Sequence, residues 1–222
     1  MEKNVLAVWT DVTPEGETEF NEWYTHEHVA SRVDIPGFLN GFRYRASAGR
    51  PKYFAWYETE SVQTLKTPEY QNVLENPSAW TRQIMPSFRN TIRCVFKVWH
   101  HLGRGHGGYA ATFRLSSIPG RKAQLFDWLA GTALQDAVKA PGITGAQIWV
   151  LDFDATGSPI KETVLRGAPD ATVECAVLVE GTDASSLREA CRVCLPRASL
   201  RQQGAGRDLA LGLYRLLYGL GF

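Results

Sequence analysis

The sequence predicts an α+β fold of two tandem ferredoxin-like β-α-β-β-α-β units, because the chain contains the same pattern twice. Each copy has an apolar helical stripe, then Pro-Gly, then a strand-like run. One shift aligns the anchors of the two copies, which are Pro14 with Pro119, Trp23 with Trp128, and Pro36-Gly37 with Pro141-Gly142. In a chain of 222 residues, a period near half the length indicates duplication of a small domain, since a solenoid needs several short repeats.

The first copy opens with a strand and a helix. The apolar, β-branched run at 5–10 predicts the strand. Pro14, which acidic residues follow, predicts the first turn of the helix, and apolar residues then recur at helical spacing. Because Pro36-Gly37 cannot continue a helix, we expect the helix to end by Ile35.

The remaining elements complete the ferredoxin-like order in both copies. In the first copy we expect strands at 42–46, 53–58 and 91–99, a helix at 62–74 and an irregular segment at 76–86. In the second copy we expect strands at 109–115, 147–152, 173–180 and 211–217, and helices at 121–138 and 185–195. The second copy also carries two insertions, a long hairpin at 152–173 and a basic stretch at 197–207 that we interpret as a surface loop.

These elements predict the domain organisation. Residues 1–102 form the N-terminal unit, 103–108 a glycine-rich linker and 109–222 the C-terminal unit. A four-stranded ferredoxin-like sheet has helices on one face only, so its open face must be covered. A second sheet of the same kind in the same chain is the economical cover. We therefore expect the two sheets to face each other around a cavity.

Composition narrows the class of protein. With 44% hydrophobic residues the chain can bury a core, and its net charge of +1 provides no basic field for nucleic acid. No apolar run is long enough to span a bilayer, and a strand follows the first four residues where a secretory signal would continue. Cys191 and Cys194 form a C-x-x-C without a second pair at zinc spacing, so we expect free thiols and a cytoplasmic protein.

The densest cluster of polar and aromatic residues lies at 23–28, W-Y-T-H-E-H. His28 can exchange a proton near neutral pH, and Tyr24 shares its helix face. Glu27, which shares a face with Trp23, would orient an imidazole or an arginine. The alternative is that His28 packs the helix end and bonds a backbone carbonyl. His26 lies on another face, so a metal site that uses both histidines is not expected.

The strands add further candidates for the walls of a binding site. Arg43 and Arg45 share one strand face because side chains alternate along a strand. Facing a cavity, they would favour an anionic group; facing solvent, they would be solubilising charges. We place Arg43 inside. Trp9, Tyr53 and Tyr57 are the other lining candidates.

The pattern W-Y-x-x-E-H, then an arginine, then I-P-G-F and a strand with R-Y-R resembles the EthD-like branch of the dimeric α/β-barrel superfamily. The resemblance is strong over 5–99 and holds only in topology over the second copy. It implies a barrel of two ferredoxin-like units, here within one chain, whose inter-sheet cavity binds small aromatic or polyketide-like molecules. It also implies that His28 is the histidine near the mouth of that cavity. The motif is more specific for the fold than for the reaction.

The second copy lacks the chemical residues of the first. The shift that aligns the copies places Ala133 at the position of His28, Thr132 at Glu27, Leu129 at Tyr24 and Ile148 at Arg43. One site, in the first half of the chain, is therefore expected.

We therefore expect a cofactor-independent enzyme (a cyclase, isomerase, decarboxylase or monooxygenase) that acts on a small molecule by acid–base chemistry. The catalytic candidates are His28, Glu27 and Arg43, and the substrate-binding candidates are Trp9, Trp23, Tyr24, Tyr53, Tyr57 and Arg45. One alternative is a non-catalytic binding protein for an apolar molecule. A third is a haem protein with His100, His101 or His106 as ligand. A homodimer is compatible with exposed aromatic residues but is not required, since both sheets lie in one chain.

Overall fold

Eight antiparallel strands close into a barrel in the part of the chain that the computed structural model describes, residues 3–157 and 160–221. The strands of the first unit are β1 (Asn4–Val12), β2 (Phe38–Ala48), β3 (Tyr53–Thr59) and β4 (Phe88–Gly103). Those of the second unit are β5 (Tyr109–Leu115), β6 (Ile143–Leu151), β7 (Cys175–Gly181) and β8 (Ala210–Gly221).

The strand order confirms the predicted fold class. The strands lie in the order β4-β1-β3-β2 in the first unit and β8-β5-β7-β6 in the second, which is the same ferredoxin-like order twice. Antiparallel pairing of β2 with β8 and of β4 with β6 joins the two sheets. The molecule is therefore an α+β barrel of two ferredoxin-like units in one chain. The unit boundary at 103–108 stays a prediction, with β4 ending at Gly103 and β5 beginning at Tyr109.

The helices lie outside the barrel. In the first unit α1 (Glu17–Trp23) continues through a π-helical turn (Tyr24–His28) into α2 (Val29–Val33), and α3 (Pro68–Glu75) and α4 (Ala79–Ile84) follow β3. Short 3₁₀ turns at Val62–Lys66 and Met85–Ser87 flank α3 and α4.

The second unit repeats this arrangement and adds to it. It contains α5 (Lys122–Trp128), a π-helical turn (Leu129–Ala133), α6 (Leu134–Ala137), α7 (Phe153–Thr156), α8 (Lys161–Arg166), α9 (Ala184–Cys194) and α10 (Arg197–Gln203). The two π turns occupy equivalent places in the two units. None of the described helices is long and apolar enough to cross a membrane.

The glycine of each Pro-Gly turn has a backbone conformation that the turn requires. Gly37 has φ +90 and Gly142 has φ +74, the left-handed region that side chains disfavour. A Cβ at position 37 would also lie 2.6 Å from the Thr64 hydroxyl oxygen. The same constraint thus ends the first helix of both units.

Aromatic side chains fill the interior of the barrel. Trp9, Trp56 and Trp149 are fully buried there, and the rings of Trp9 and Phe54 stack with centroids 5.0 Å apart. Our expectation of a ligand cavity between the sheets was therefore wrong. The bare sheet faces meet by packing large rings against each other, which uses the space that a ligand would need.

Both insertions of the second unit fold into helices. The 197–207 stretch is not the loop that we expected, because α10 buries Leu200 completely against the core of the second unit. The 152–173 insertion forms α7 and α8 and packs on the first unit. The Lys161 ammonium group donates a hydrogen bond to the Glu75 carbonyl at the end of α3.

We expect Trp9→Ala to lower the free energy of unfolding by about 3–5 kcal/mol, because it leaves a cavity in the barrel core and removes the indole N–H bond to the Thr112 hydroxyl (3.2 Å). The control is Trp99→Ala on β4, where the side chain is 49% exposed. That change is expected to cost about 1 kcal/mol or less. Urea denaturation followed by circular dichroism measures both, and equal losses would contradict the assignment of Trp9 to the core.

Candidate functional site

Three residues of the W-Y-T-H-E-H segment pack against the helix-facing side of the first sheet, outside the barrel interior. Trp23, Tyr24 and His28 lie over Tyr57 of β3 and enclose a cavity of about 20 Å³. Its other walls come from β1, β4, α2, α3, the 3₁₀ turn at Met85–Ser87 and the inserted α8, and comprise Leu6, Val8, Arg32, Tyr70, Leu74, Met85, Phe88, Arg93, Glu162 and Arg166. This volume holds about one water molecule.

The π turn brings the residues of the cavity together. Its defining hydrogen bond runs from the Val29 N–H to the Tyr24 carbonyl, one residue longer than in an α-helix. As a result the rings of Trp23 and His28, five residues apart, lie in contact with centroids 4.1 Å apart. The Tyr24 ring lies 4.9 Å from the His28 ring. Helical periodicity predicts the Tyr24–His28 pair, but it would separate Trp23 from His28.

His28 is a buried, neutral imidazole. Burial holds its pKa well below the usual range, and the guanidinium groups of Arg32, Arg166 and Arg43 lower it further. Its ring packs on Trp23, Tyr24 and Tyr57, so the alternative of a helix-capping bond to a carbonyl is not observed within the described residues. An unprotonated imidazole at neutral pH can accept a proton.

The two tyrosines that face His28 are neutral phenols. Burial raises the pKa of Tyr24 to about 12 and the pKa of Tyr57 well above its usual range. The Tyr57 hydroxyl is buried and has no hydrogen-bond partner among the described residues. It is therefore a donor available to a molecule in the cavity.

Within the described residues Glu27 makes no hydrogen bond or ion pair with His28 or an arginine, which corrects the expected role. Its Oε1 accepts hydrogen bonds from the Trp23 indole N–H (3.1 Å), the Ser78 hydroxyl (2.6 Å) and the Thr81 hydroxyl (3.0 Å). The i, i+4 spacing on the helix directs the carboxylate to Trp23. Glu27 thus positions the indole that packs on His28 and ties it to the start of α4.

Arg43 lies beside the cavity but does not line it. Its guanidinium carbon is 4.7 Å from the centroid of the Tyr24 ring and 5.2 Å from those of Phe20 and Tyr53. It donates hydrogen bonds to the Asn21 side chain and carbonyl. Our placement of Arg43 inside the barrel was wrong, because Arg43 occupies the face of β2 that packs against the helix.

The other predicted binding residues separate into two groups. Trp23, Tyr24 and Tyr57 line the cavity. Tyr53 donates its hydroxyl hydrogen to Glu17 (2.7 Å), Arg45 is half exposed and 3.7 Å from the same carboxylate, and Trp9 lies in the barrel core. These three residues lie outside the cavity for two reasons. Side chains alternate along β1, and this directs Trp9 into the barrel interior. Arg45 and Tyr53 lie where β2 and β3 meet at their turn, which places them near Glu17.

Sequence reasoning missed the charged residues of the cavity. Arg32, only 4% exposed, lies 2.5 Å from Glu162 of α8, in the other half of the chain. Arg166, one helical turn after Glu162, also lines the cavity, and the central carbon of its guanidinium group lies 5.8 Å from the centroid of the Phe88 ring. Arg93 of β4 donates a hydrogen bond to the Tyr70 hydroxyl (3.1 Å). The only signals in the sequence were the arginine of the motif and the E-x-x-x-R spacing within the long insertion.

The corresponding space in the second unit is packed with aliphatic side chains. Leu129, Ala133 and Ile148, which stand in place of Tyr24, His28 and Arg43, are all buried in that core. The two units therefore differ in chemistry although they share their backbone order.

The three histidines named as haem ligands are not among the residues that line the 20 Å³ cavity. His100 and His101 lie on β4, while His106 Nδ1 is 3.1 Å from the Glu180 carboxylate and its ring packs on Phe42 at 4.5 Å. The surface pockets of about 270, 320, 370 and 890 Å³ have no histidine among their lining residues. These four pockets therefore offer no histidine to a haem iron. The described residues also contain no cluster of His, Cys, Asp and Glu that could hold a metal ion.

Comparison with solved structures shows the fold. An anthrone oxidase-like protein matches with a TM-score of 0.68 at 13% identity, over 99% of this chain and 93% of that one. A candidate monooxygenase from Fusobacterium nucleatum matches with a TM-score of 0.63 at 11% identity, over 99% and 94%. A haem-binding protein from Thermus thermophilus matches with a TM-score of 0.51 at 11% identity, over 98% and 92%. No protein-family model and no curated protein sequence matches the chain.

We expect His28 to make the free energy of unfolding fall with falling pH. Folding holds the pKa of His28 below its value in the unfolded chain, so as pH falls the unfolded chain binds a proton at this position first. The contribution of the neutral ring to stability is complete above about pH 7 and is lost as pH falls toward about 5. The difference in unfolding free energy between the wild type and His28→Gln, measured by urea titration, should therefore shrink over that range. Parallel curves would contradict a lowered pKa, and other titrating groups cancel in the difference.

Proposed function

We propose that this chain is a cofactor-independent enzyme of the monooxygenase type, which deprotonates an aromatic or polyketide-like substrate with His28 as the base. The observation that carries the proposal is a neutral, buried imidazole held by Trp23, Tyr24 and Tyr57 beside buried guanidinium groups. The likeness in fold to an anthrone oxidase-like protein and a candidate monooxygenase supports the reaction class.

The residues of the cavity suit the formation of a carbanion, enolate or phenolate. Nitrogen of the His28 ring accepts the proton, and the negative charge that develops on the substrate is stabilised by Arg32, Arg93 and Arg166 and by the hydroxyl of Tyr57. The aromatic walls bind the faces of a planar ring. The ring of His28 packs on Trp23 and on the phenols of Tyr24 and Tyr57. Burial raises the pKa of both tyrosines and keeps them protonated, so His28 is the group that accepts the proton.

Oxidation of an anthrone to an anthraquinone needs O₂ as its co-reactant. Removal of one hydrogen of the ring CH₂ as a proton leaves a carbanion, which adds O₂ and takes up a proton to form a hydroperoxide. Loss of water from the hydroperoxide converts that carbon to a carbonyl and yields the anthraquinone. One oxygen atom enters the product, the other leaves as water, and the substrate carbon is oxidised. O₂ is the oxidant.

The alternative of a non-catalytic carrier for an apolar molecule fits the cavity less well. Arg93 lines the cavity with the Tyr70 hydroxyl as its side-chain partner and with no carboxylate within 4.0 Å among the described residues. Burying guanidinium groups is costly without an anionic partner. A site built only to hold an apolar ligand would not need them.

Two further parts of the proposal concern the chain as a whole. The equivalent π turns and Pro-Gly turns support a tandem duplication after which the first unit kept the chemistry. Cys94, Cys175, Cys191 and Cys194 are free, three of them buried, which supports a reducing cytoplasm. The EthD-like assignment rests on the sequence motif, and a homodimer stays a prediction.

We expect His28→Gln to lower kcat/KM for an anthrone by about 10²–10⁴, the usual contribution of a positioned base. The substrate is 1,8-dihydroxyanthrone in air-saturated buffer, and O₂ uptake and anthraquinone absorbance are recorded together. The matched control is His26→Gln on the same helix, whose side chain is 64% exposed and 3.2 Å from Glu22. The control should turn over at the wild-type rate. Full turnover by a folded His28→Gln protein would overturn the role of His28.

A further inference from the structure

The two halves of the chain meet in one buried ion pair inside the cavity. Arg32 comes from the first unit and Glu162 from α8 of the second, and the two side chains are 5% and 9% exposed. Glu162 Oε2 also lies 4.0 Å from Arg166 Nη1. The carboxylate thus occupies the space between the guanidinium groups that line the cavity.

The cavity has more positive than negative charge. Among the described residues that line it, Arg32, Arg93 and Arg166 are cationic and Glu162 alone is anionic. Asp170 pairs with Arg166 at 2.6 Å from outside the cavity. Arg93 has the Tyr70 hydroxyl as its hydrogen-bond acceptor and no carboxylate within 4.0 Å in the described part of the chain.

Buried polar atoms around the carboxylate lack partners. The Tyr57 hydroxyl and the Arg166 Nε are both buried without a hydrogen bond among the described residues, and both side chains line the cavity. Such donors are rarely left unpaired in a folded protein. Two unpaired donors in the walls of the cavity favour a ligand that carries acceptor oxygens.

The cavity is so small that an aromatic ligand can enter only if one of its walls moves. About 20 Å³ is too small for an aromatic ring. Two grooves border the insertion. The groove of about 270 Å³ shares Tyr70, Leu74 and Arg93 with the cavity. The groove of about 890 Å³ shares Phe88 and Arg166 with it. Withdrawal of Glu162 and the short helix that carries it would join this space, whereas the sheet and the π turn are held by extensive packing.

We propose that Glu162 is an internal occupant of an anion-binding subsite formed by Arg32, Arg93 and Arg166. The substrate is therefore an aromatic molecule with an anionic oxygen group, a carboxylate or a phenolate, which displaces the Glu162 carboxylate from Arg32. This inference rests on the proposed function for the location of the site, and it adds the charge of the substrate and a self-occupied resting state. An anion in the subsite would also offset the guanidinium charges that lower the pKa of His28.

The test compares 2-naphthoate with 2-naphthamide, its uncharged match, by isothermal titration calorimetry. When an internal group occupies a subsite, the apparent affinity for an external ligand is reduced in proportion to the fraction of molecules in which the subsite is vacant. Glu162→Gln should therefore bind 2-naphthoate about tenfold more tightly than the wild type. 2-Naphthamide has no anionic group to take the place of the Glu162 carboxylate on Arg32, so it should bind neither protein detectably. The matched control is Glu174→Gln, which alters a carboxylate held by Ser117 and Lys122 in the second unit, and it should bind both probes as the wild type does.

A second measurement covers the case in which Glu162→Gln fails to fold, since it leaves Arg32 buried without its partner. In the wild type, the amides of α8 should exchange hydrogen faster when 2-naphthoate saturates the protein, and not with 2-naphthamide. Unchanged exchange, equal gains for the two probes, or no naphthoate binding to either protein would overturn the proposal. If the charge-selective gain is found but anthrone is not oxidised, the subsite stands and the proposed reaction fails. If His28 is needed for turnover but Glu162→Gln gains nothing, the reverse holds.

Discussion

Edge-to-edge pairing of two four-stranded sheets is the constraint on which the rest of the structure depends. Each ferredoxin-like sheet has one face without helices, and the pairing of β2 with β8 and of β4 with β6 turns both bare faces toward one interior. Backbone hydrogen bonds leave no free edge, and large aromatic rings fill the enclosed volume. Because that interior is full, the site that we propose for a ligand lies between the sheet and the helices.

The two units differ in the chemistry of the side chains that they place around this shared barrel. The first places ionisable and aromatic side chains between its helix and sheet, while the second packs aliphatic side chains at the same positions. Yet the second unit takes part in the site, because its 152–173 insertion carries Glu162 and Arg166 onto the first unit. A dimer of identical chains would make two equal sites, whereas two units in one chain allow one half to hold the chemistry and the other to cover it.

Electrostatics and packing act together on His28. A ring enclosed by Trp23, Tyr24 and Tyr57 loses its hydration, and nearby guanidinium groups add repulsion toward a proton, so the imidazole stays neutral. Glu27 contributes indirectly by fixing the Trp23 indole through a hydrogen bond. The arrangement combines an unprotonated base with cations that favour an anion beside it, which is a combination suited to proton abstraction.

Local signals in the amino-acid sequence were enough to predict the order of the elements and the general location of the candidate site. Internal repetition, Pro-Gly turns and strand periodicity are local signals, and they predicted two ferredoxin-like units, their joining into a barrel and the cluster around His28. Three of the proposed lining residues, Trp23, Tyr24 and Tyr57, do line the cavity.

Which face of each strand and helix lines the candidate site became clear from the folded chain. Strand alternation shows that Arg43 and Phe42 point in opposite directions, but not which direction is the barrel, and the helix side proved to hold Arg43. The π turn, which sets Trp23 against His28, follows from one extra residue in a helical turn and leaves no clear mark in the hydrophobic pattern. The approach of Glu162 to Arg32 joins residues far apart in the chain, and its physical cause, the packing of an insertion from one unit on the other, exists only once the barrel has closed.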